Sequence, residues 1–198
     1  MASSSIVSLT GGGRRGVRRL LALTAVLLHS AFSGVAPAIA QPRPDVTVHE
    51  SGGIYRVAAT FSVSQPAAVA MEVLGDYGEI PRFMPDVRTS TVLEQADNYA
   101  VVEQEAVAKF LMFSKRIHLV LEVHQTSGTL RFRDRCGNSF SIYEGRWTVA
   151  EVGGQTNINY ELTARPAFDV PEFLLRRLLK RDSTRMIQLL TAEIAARR

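Results

Sequence analysis

Two histidines, one cysteine and two neighbouring carboxylates are the side chains of this sequence best suited by type to chemistry. His118 and His124 stand six residues apart. In one strand that spacing sends both to the same, solvent side, and no spacing supplies the third ligand that a metal pair would need. Cys136, the only cysteine, has no partner motif for nucleophilic work, and beside Gly137 it reads as a turn-edge or core residue. Glu103 and Glu105 share a strand face as a carboxylate pair would, yet pairing with arginines or lysines across that face is their ordinary role. No phosphate loop, metal finger or nucleophile elbow occurs. The expectation is binding without catalysis, metal or cofactor.

What the sequence has in quantity is apolar and aromatic surface. Phe61, Phe83, Met84, Phe110, Met112, Leu119, Phe132, Tyr143, Trp147, Tyr160, Leu175 and Met186 are candidates to line a cavity. As a set they exceed what one helix can cover if the sheet beneath it is strongly curved, and an apolar space with a few polar groups is a ligand site by default. The segment Lys109 to Phe113 would either line the mouth of such a space or form a strand buried on both faces. Gln104 and Asp134, with Tyr143, are the candidate polar groups inside. A buried Asp134 would need a hydrogen-bond partner.

These residues need elements to hold them. Tyr55, Val57, Ala59, Phe61 and Val63 alternate with Arg56, Ala58, Thr60 and Ser62, the two-residue period of a strand with one buried face. Pro66 to Leu74 reads as a helix opened by Ser64 and Pro66, and Asp76 to Met84 as a shorter one stopped at Pro85. Strands and turns follow, with breaks at Asp97-Asn98, Ser127-Gly128, Gly137-Asn138 and Gly153-Gly154. Asp169 to Ala196 is the longest helical stretch. Asp169 and Glu172 have capping-box spacing, the leucines gather on one side, and Arg176, Arg177, Lys180, Arg181 and Arg185 fall on the other. The order is one strand, two short helices, six antiparallel strands and a long C-terminal helix, an α+β plan.

Residues 1–40 are of another kind. Four arginines without an acid precede the apolar run Leu20 to Phe32, and Ala38-Ile39-Ala40 supplies small residues for cleavage. About a dozen apolar residues fall short of the roughly 20 that span a bilayer, so the expectation is a signal peptide cleaved near Ala40, placing the protein in the periplasm or outside the cell. The export route, Sec or twin-arginine, stays open at the pairs Arg14-Arg15 and Arg18-Arg19. Those four arginines account for the whole net charge of +4, from 23 basic and 19 acidic residues. A mature chain of formal charge zero offers no footprint for nucleic acid. Residues 41–53, with prolines and a glycine pair, read as a linker, and 54–197 as one ligand-binding domain. With one cysteine, no internal disulfide is available.

Several phrases resemble a known group. Asp76-Tyr77 followed by Ile80-Pro81-Arg82-Phe83-Met84-Pro85, then Ser90 to Glu94, Tyr143-Glu144-Gly145-Arg146-Trp147 and Tyr160-Glu161-Leu162, resemble the START-like (SRPBCC) superfamily. The nearest branch is the polyketide cyclase/dehydrase and lipid transport group with its coenzyme Q-binding members, although Asp86-Val87 after Pro85 departs from that branch's pattern. The resemblance implies a helix-grip fold: a seven-stranded curved antiparallel sheet wrapped on a long C-terminal helix, two short helices after the first strand, and a hydrophobic tunnel between sheet and helix. Members bind lipids, isoprenoid quinones, sterols or polyketides, and only some do chemistry. The expected function is an exported carrier of a hydrophobic small molecule, such as a lipid or isoprenoid quinone. A cyclase or dehydratase using polar cavity groups is the alternative. Weak membrane contact is expected through Arg176, Arg177, Lys180 and Arg181.

Overall fold

The alternating segments assemble into one antiparallel sheet. The computed structural model describes residues 44–110 and 113–197. Residues 1–43, which include the expected signal peptide, and Leu111, Met112 and Arg198 lie outside the described residues. The chain runs β1 (Asp45–Ser51), β2 (Ile54–Val63), α1 (Ala67–Gly75), a 3-10 turn (Tyr77–Glu79), α2 (Ile80–Phe83), β3 (Val87–Ala96), β4 (Tyr99–Phe110), β5 (Phe113–Gln125), β6 (Thr129–Asp134), β7 (Phe140–Val152), β8 (Gln155–Pro166) and α3 (Glu172–Ala196). The strand order is β1-β2-β8-β7-β6-β5-β4-β3. Strands β3 to β8 thus form a meander, and β2 returns to pair with β8.

The sheet has eight strands among the described residues, not seven. The extra one is β1, in the segment expected to be linker. It pairs in register with β2 from Asp45↔Thr60 to Ser51↔Ile54. Gly52 and Gly53 close that hairpin with φ of 61° and 77°, the left-handed pair that matches the twist of a two-residue hairpin. Val46 is buried at 1% exposure, so the segment adds to the core.

Alternation then fixes which face is inner. In β8, Ile158, Tyr160, Leu162 and Ala164 are all buried; in β5, Ile117, Leu119 and Val123 are. Register shifts interrupt the β3–β4 pairing and the start of β7, between Phe140 and Ile142, irregularities of the kind that bend a strand and increase its twist.

α3 has 25 residues and begins at Glu172, with Pro171 as its cap and no side-chain capping bond. Asp169 therefore does not cap it, contrary to the spacing argument: Pro171 is extended (φ −57°, ψ 131°) and leaves Asp169 upstream of the first turn. Leu175, Leu178, Ile187, Leu190 and Ile194 face inward. On the sheet, the helix makes its close backbone contacts with β1 and β2, and its C-terminal half meets α1 and α2. Its end is held by a charge cluster. Arg82 and Arg197 both donate to Glu193 Oε1, the latter at 3.1 Å, and Arg197 reaches Asp76 at 2.7 Å and Glu72 at 3.1 Å. Glu193 is buried; burial raises its pKa, but the two guanidiniums outweigh that and hold it below the usual carboxylate range.

Candidate functional site

Because α3 sits down on β1 and β2, a space remains under it where the sheet curves through β4 to β8. It is a cavity of about 340 Å³. Its wall on the sheet side is built by inward positions of successive strands: Gln104 from β4, Leu119 from β5, Phe132 from β6, Tyr143 and Trp147 from β7, and Tyr160 from β8. Phe83 and Met84 close it from α2, and Leu175 and Met186 from α3.

Two expected lining residues are elsewhere. Phe61 lies in the packed core and not on the cavity, because β2 is one of the strands that α3 contacts directly. Asp134 is not a cavity group. Its Oδ1 accepts the Val120 amide at 2.8 Å and the Cys136 amide at 3.3 Å, and its Oδ2 accepts the Gly137 amide at 3.0 Å, so it ties the β6–β7 turn to β5. Gly137 needs its left-handed φ of 66° for that turn. The side chain of Phe110, at the end of β4, lies with Met112 outside the described residues.

The residues suited to chemistry come together on the outer face instead. His118 Nε2 lies 3.1 Å from Glu103 Oε1, and His118 Nδ1 lies 3.7 Å from Cys136 Sγ. Glu103 therefore pairs with a histidine and not with an arginine or lysine. The sequence of groups is that of nucleophile, base and orienting carboxylate, but the surroundings work against it. Burial, joined by Asp134 against an opposing backbone hydrogen bond at Asn138, pushes the thiol pKa up. Asp134 also takes the amides of Cys136 and Gly137, which would otherwise be the nearest donors to an oxyanion. His124 stacks against Tyr99 with ring centroids 5.1 Å apart. No three-residue His, Cys, Asp or Glu cluster suited to a metal occurs among the described residues.

The fold and this cavity can be set beside known proteins. The model of the family described as polyketide cyclase / dehydrase and lipid transport matches residues 55–195. The chain belongs to that family. Its fold is also that of START proteins. A STAR-related lipid transfer protein fragment from Xanthomonas axonopodis superposes with a TM-score of 0.60 at 15% identity, over 77% of this chain and 99% of that one. The Zhui aromatase/cyclase from Streptomyces sp. R1128 gives 0.61 at 14%, over 72% and 94%. A START superfamily protein from Mycobacterium smegmatis gives 0.59 at 14%, over 71% and 97%. A search of curated proteins finds no match.

Within this family member the cavity has a charged edge that the sequence reading missed. Asp86, Asp182 and Arg185 line it. Asp86 accepts Lys109 Nζ at 3.0 Å and Arg185 at 3.1 Å, while Arg181 donates to Asp182 at 2.7 Å and to the Lys109 carbonyl at 3.0 Å. These bonds join the α2–β3 connection, the end of β4 and the middle of α3. The available signal was Asp86 itself, a carboxylate directly after the helix-stopping Pro85.

The deeper polar groups are aromatic. Tyr143 packs between Phe140 at 4.9 Å and Phe132 at 5.9 Å, and Trp147 lies on Tyr160 at 4.3 Å. Burial, then the charge of Asp134, pushes the Tyr143 hydroxyl up to about 12. Burial, then Tyr143, pushes Tyr160 well above its ordinary value. Both phenols are neutral donors at any physiological pH. Gln104, also on the cavity, gives its amide to Ser90 Oγ at 3.1 Å.

Proposed function

We propose that this protein is an exported, non-catalytic binder or carrier of one hydrophobic small molecule, taken up between the sheet and α3. The observation that carries the reading is the apolar cavity of about 340 Å³, at the low end of the roughly 300–1,000 Å³ of small-molecule sites. Each Å² of apolar ligand surface buried there contributes about 25 cal/mol. That size suits a single chain or a compact ring system, and an isoprenoid quinone entering by its ring is one such ligand. Catalysis is disfavoured because the ionised side chains on the cavity, Asp86, Asp182 and Arg185, are all engaged in ion pairs.

Export rests on residues 1–40 of the sequence and is tested by the N-terminal mass of the protein recovered from the periplasm. Weak contact with anionic membranes is supported by one face of α3. Arg176 is engaged by Glu172 and Arg181 by Asp182, but Arg177 and Lys180 have no ion pair among the described residues, and Phe173 beside them is 76% exposed. An exposed aromatic among free cations is the pattern of a surface that rests on headgroups.

Native mass spectrometry with lipid extraction, on protein purified from its own host, tests the carrier reading. A copurified hydrophobic molecule is the expected result. A second reading, a cyclase or dehydratase, is favoured by Tyr143 and Tyr160 inside the cavity. If nothing copurifies, and replacing Tyr143 abolishes turnover of an aromatic substrate, the enzyme reading replaces the carrier one.

A further inference from the structure

The long helix α3 is seated unevenly on the sheet. Its close backbone contacts there are with β1 and β2, which form one edge of the strand order, while β3 and β4 form the opposite edge. On the β1–β2 side the seam is apolar and closed: Val46 and Val57 of those strands and Ile187 and Leu190 of the helix are fully buried in one core cluster. On the β3–β4 side it is not. Leu179 and Met186 of α3, and Val87 and Val107 of the far edge, are only half-buried, and all four line the cavity. Pro85 and Arg185, both exposed, line it as well, so the cavity reaches the surface along this seam.

Among the described residues, two polar bonds cross that seam. Arg185 Nη1 meets Asp86 Oδ2 at 3.1 Å, and Arg181 Nη2 donates to the Lys109 carbonyl at 3.0 Å. The two arginines stand four residues apart, so they leave the same face of the helix. The groups they reach belong to one unit, because the Val107 amide donates to the Asp86 carbonyl at 2.8 Å and Lys109 Nζ to the Asp86 carboxylate at 3.0 Å. Releasing two solvent-exposed contacts therefore frees the whole β3–β4 edge from the middle of α3. Exposed pairs of this kind are weak and form and break readily. The C-terminal end of the helix stays tied meanwhile, by Arg82, Glu193 and Arg197.

We propose that the β3–β4 seam is the door of the cavity and that Arg181 and Arg185 are its latch: α3 stays packed along β1 and β2 while the two arginines let go of Lys109 and Asp86, and a ligand enters and leaves between α3 and the far edge of the sheet. This rests on the binding reading above and adds the route and the residues that control it.

The test follows 2-ethylnaphthalene binding to the purified mature protein by stopped flow, through the fluorescence of Trp147, which lines the cavity and is the only tryptophan. The dependence of the observed rate on probe concentration gives association and dissociation separately. Arg181→Met removes the donor, keeps an apolar stem and changes no residue that lines the cavity. Association and dissociation should rise together by about twofold to fivefold, the worth of an exposed charged contact. The Kd should stay at its parental value, because entry and exit need the same opening. Arg181→Met/Arg185→Met should raise the association rate by about tenfold. Raising sodium chloride from about 0.02 M to about 0.5 M should accelerate the parent more than this double variant. Glu193→Gln, at the far end of α3, should leave both rates near the parental ones. Parental rates in Arg181→Met, a larger acceleration from Glu193→Gln, or a changed Kd at an unchanged association rate would overturn the door while leaving a hydrophobic binder standing. If the probe does not bind the parent, the binder reading fails and the door with it.

Discussion

Gly145, in the middle of the segment Tyr143 to Trp147, is where the cavity wall and the backbone constrain each other most tightly. A methyl group there would lie 2.3 Å from the Glu161 carbonyl oxygen and 2.6 Å from Phe132 Cζ. Ordinary contact begins at 3.4 Å, so the β7–β8 ladder must open by about 1.1 Å locally and the Phe132 ring must retreat by about 0.8 Å. The first obstacle is backbone in a paired strand, opposite Leu162, and cannot swing aside. The second is a cavity residue whose retreat displaces the aromatic wall. Overpacking of a filled core costs typically 1–3 kcal/mol, and a backbone obstacle places Gly145→Ala in the upper half of that range, about 2–3 kcal/mol. For a domain of this size that lowers the melting temperature by roughly 4–12 °C. Trp147, the only tryptophan, stands two residues away on the same face, so its fluorescence during urea unfolding reports the change directly. Binding of 2-ethylnaphthalene, a plain apolar probe of the cavity, should also weaken. An unchanged urea midpoint, or a variant with parental fluorescence and probe affinity, would refute the argument that this glycine is required by close approach.

Glu193→Gln should cost about 1–2 kcal/mol at pH 7, since it weakens the charged hydrogen bonds from Arg82 and Arg197. Because the folded carboxyl is held below its unfolded value of about 4.3, this contribution is present above that pH and lost as pH falls through the folded value. Urea midpoints of parent and variant should therefore converge in acid; a gap persisting at pH 2 would count against the charge cluster. Asp134→Ala should destabilise by about 1–3 kcal/mol through the amides it leaves unpaired, without altering probe affinity; loss of probe binding in a folded variant would return Asp134 to the cavity. Val46→Ala should cost up to about 1.5–3 kcal/mol, the worth of burying a valine side chain, if β1 belongs to the core. No change in the melting temperature would restore the linker reading of that segment. Arg177→Glu/Lys180→Glu should reduce cosedimentation with phosphatidylglycerol vesicles and leave phosphatidylcholine vesicles unaffected; equal binding to both lipids by the parent would remove membrane contact from the proposal.

Much of this architecture is present in the sequence alone, for a local reason. Side-chain alternation is a property of consecutive residues, so Ile117 to Val123 and Ile158 to Ala164 announce their buried faces wherever the strands end up. The leucine spacing of α3 does the same for a helix. Strand β1 was obscured because Asp45–Ser51 offers only Val46 and Val48 as apolar positions, and its burial depends on β2 and α3 arriving beside it. The missing cap at Asp169 has a similar origin: the spacing to Glu172 is right, but the path of Val170 and Pro171 decides whether the side chain can reach.

The sequence by itself determined the family, the strand-rich plan, the terminal helix and the aromatic stock from which a binding wall can be made. Only the tertiary structure decided that Phe61 is core while Tyr160 borders a space, that Asp134 serves a turn, and that Asp86 fastens the edge of the cavity. Those outcomes depend on how far α3 stands from each strand. That distance is set by sheet curvature and by contacts between residues far apart in the chain, which no local pattern records.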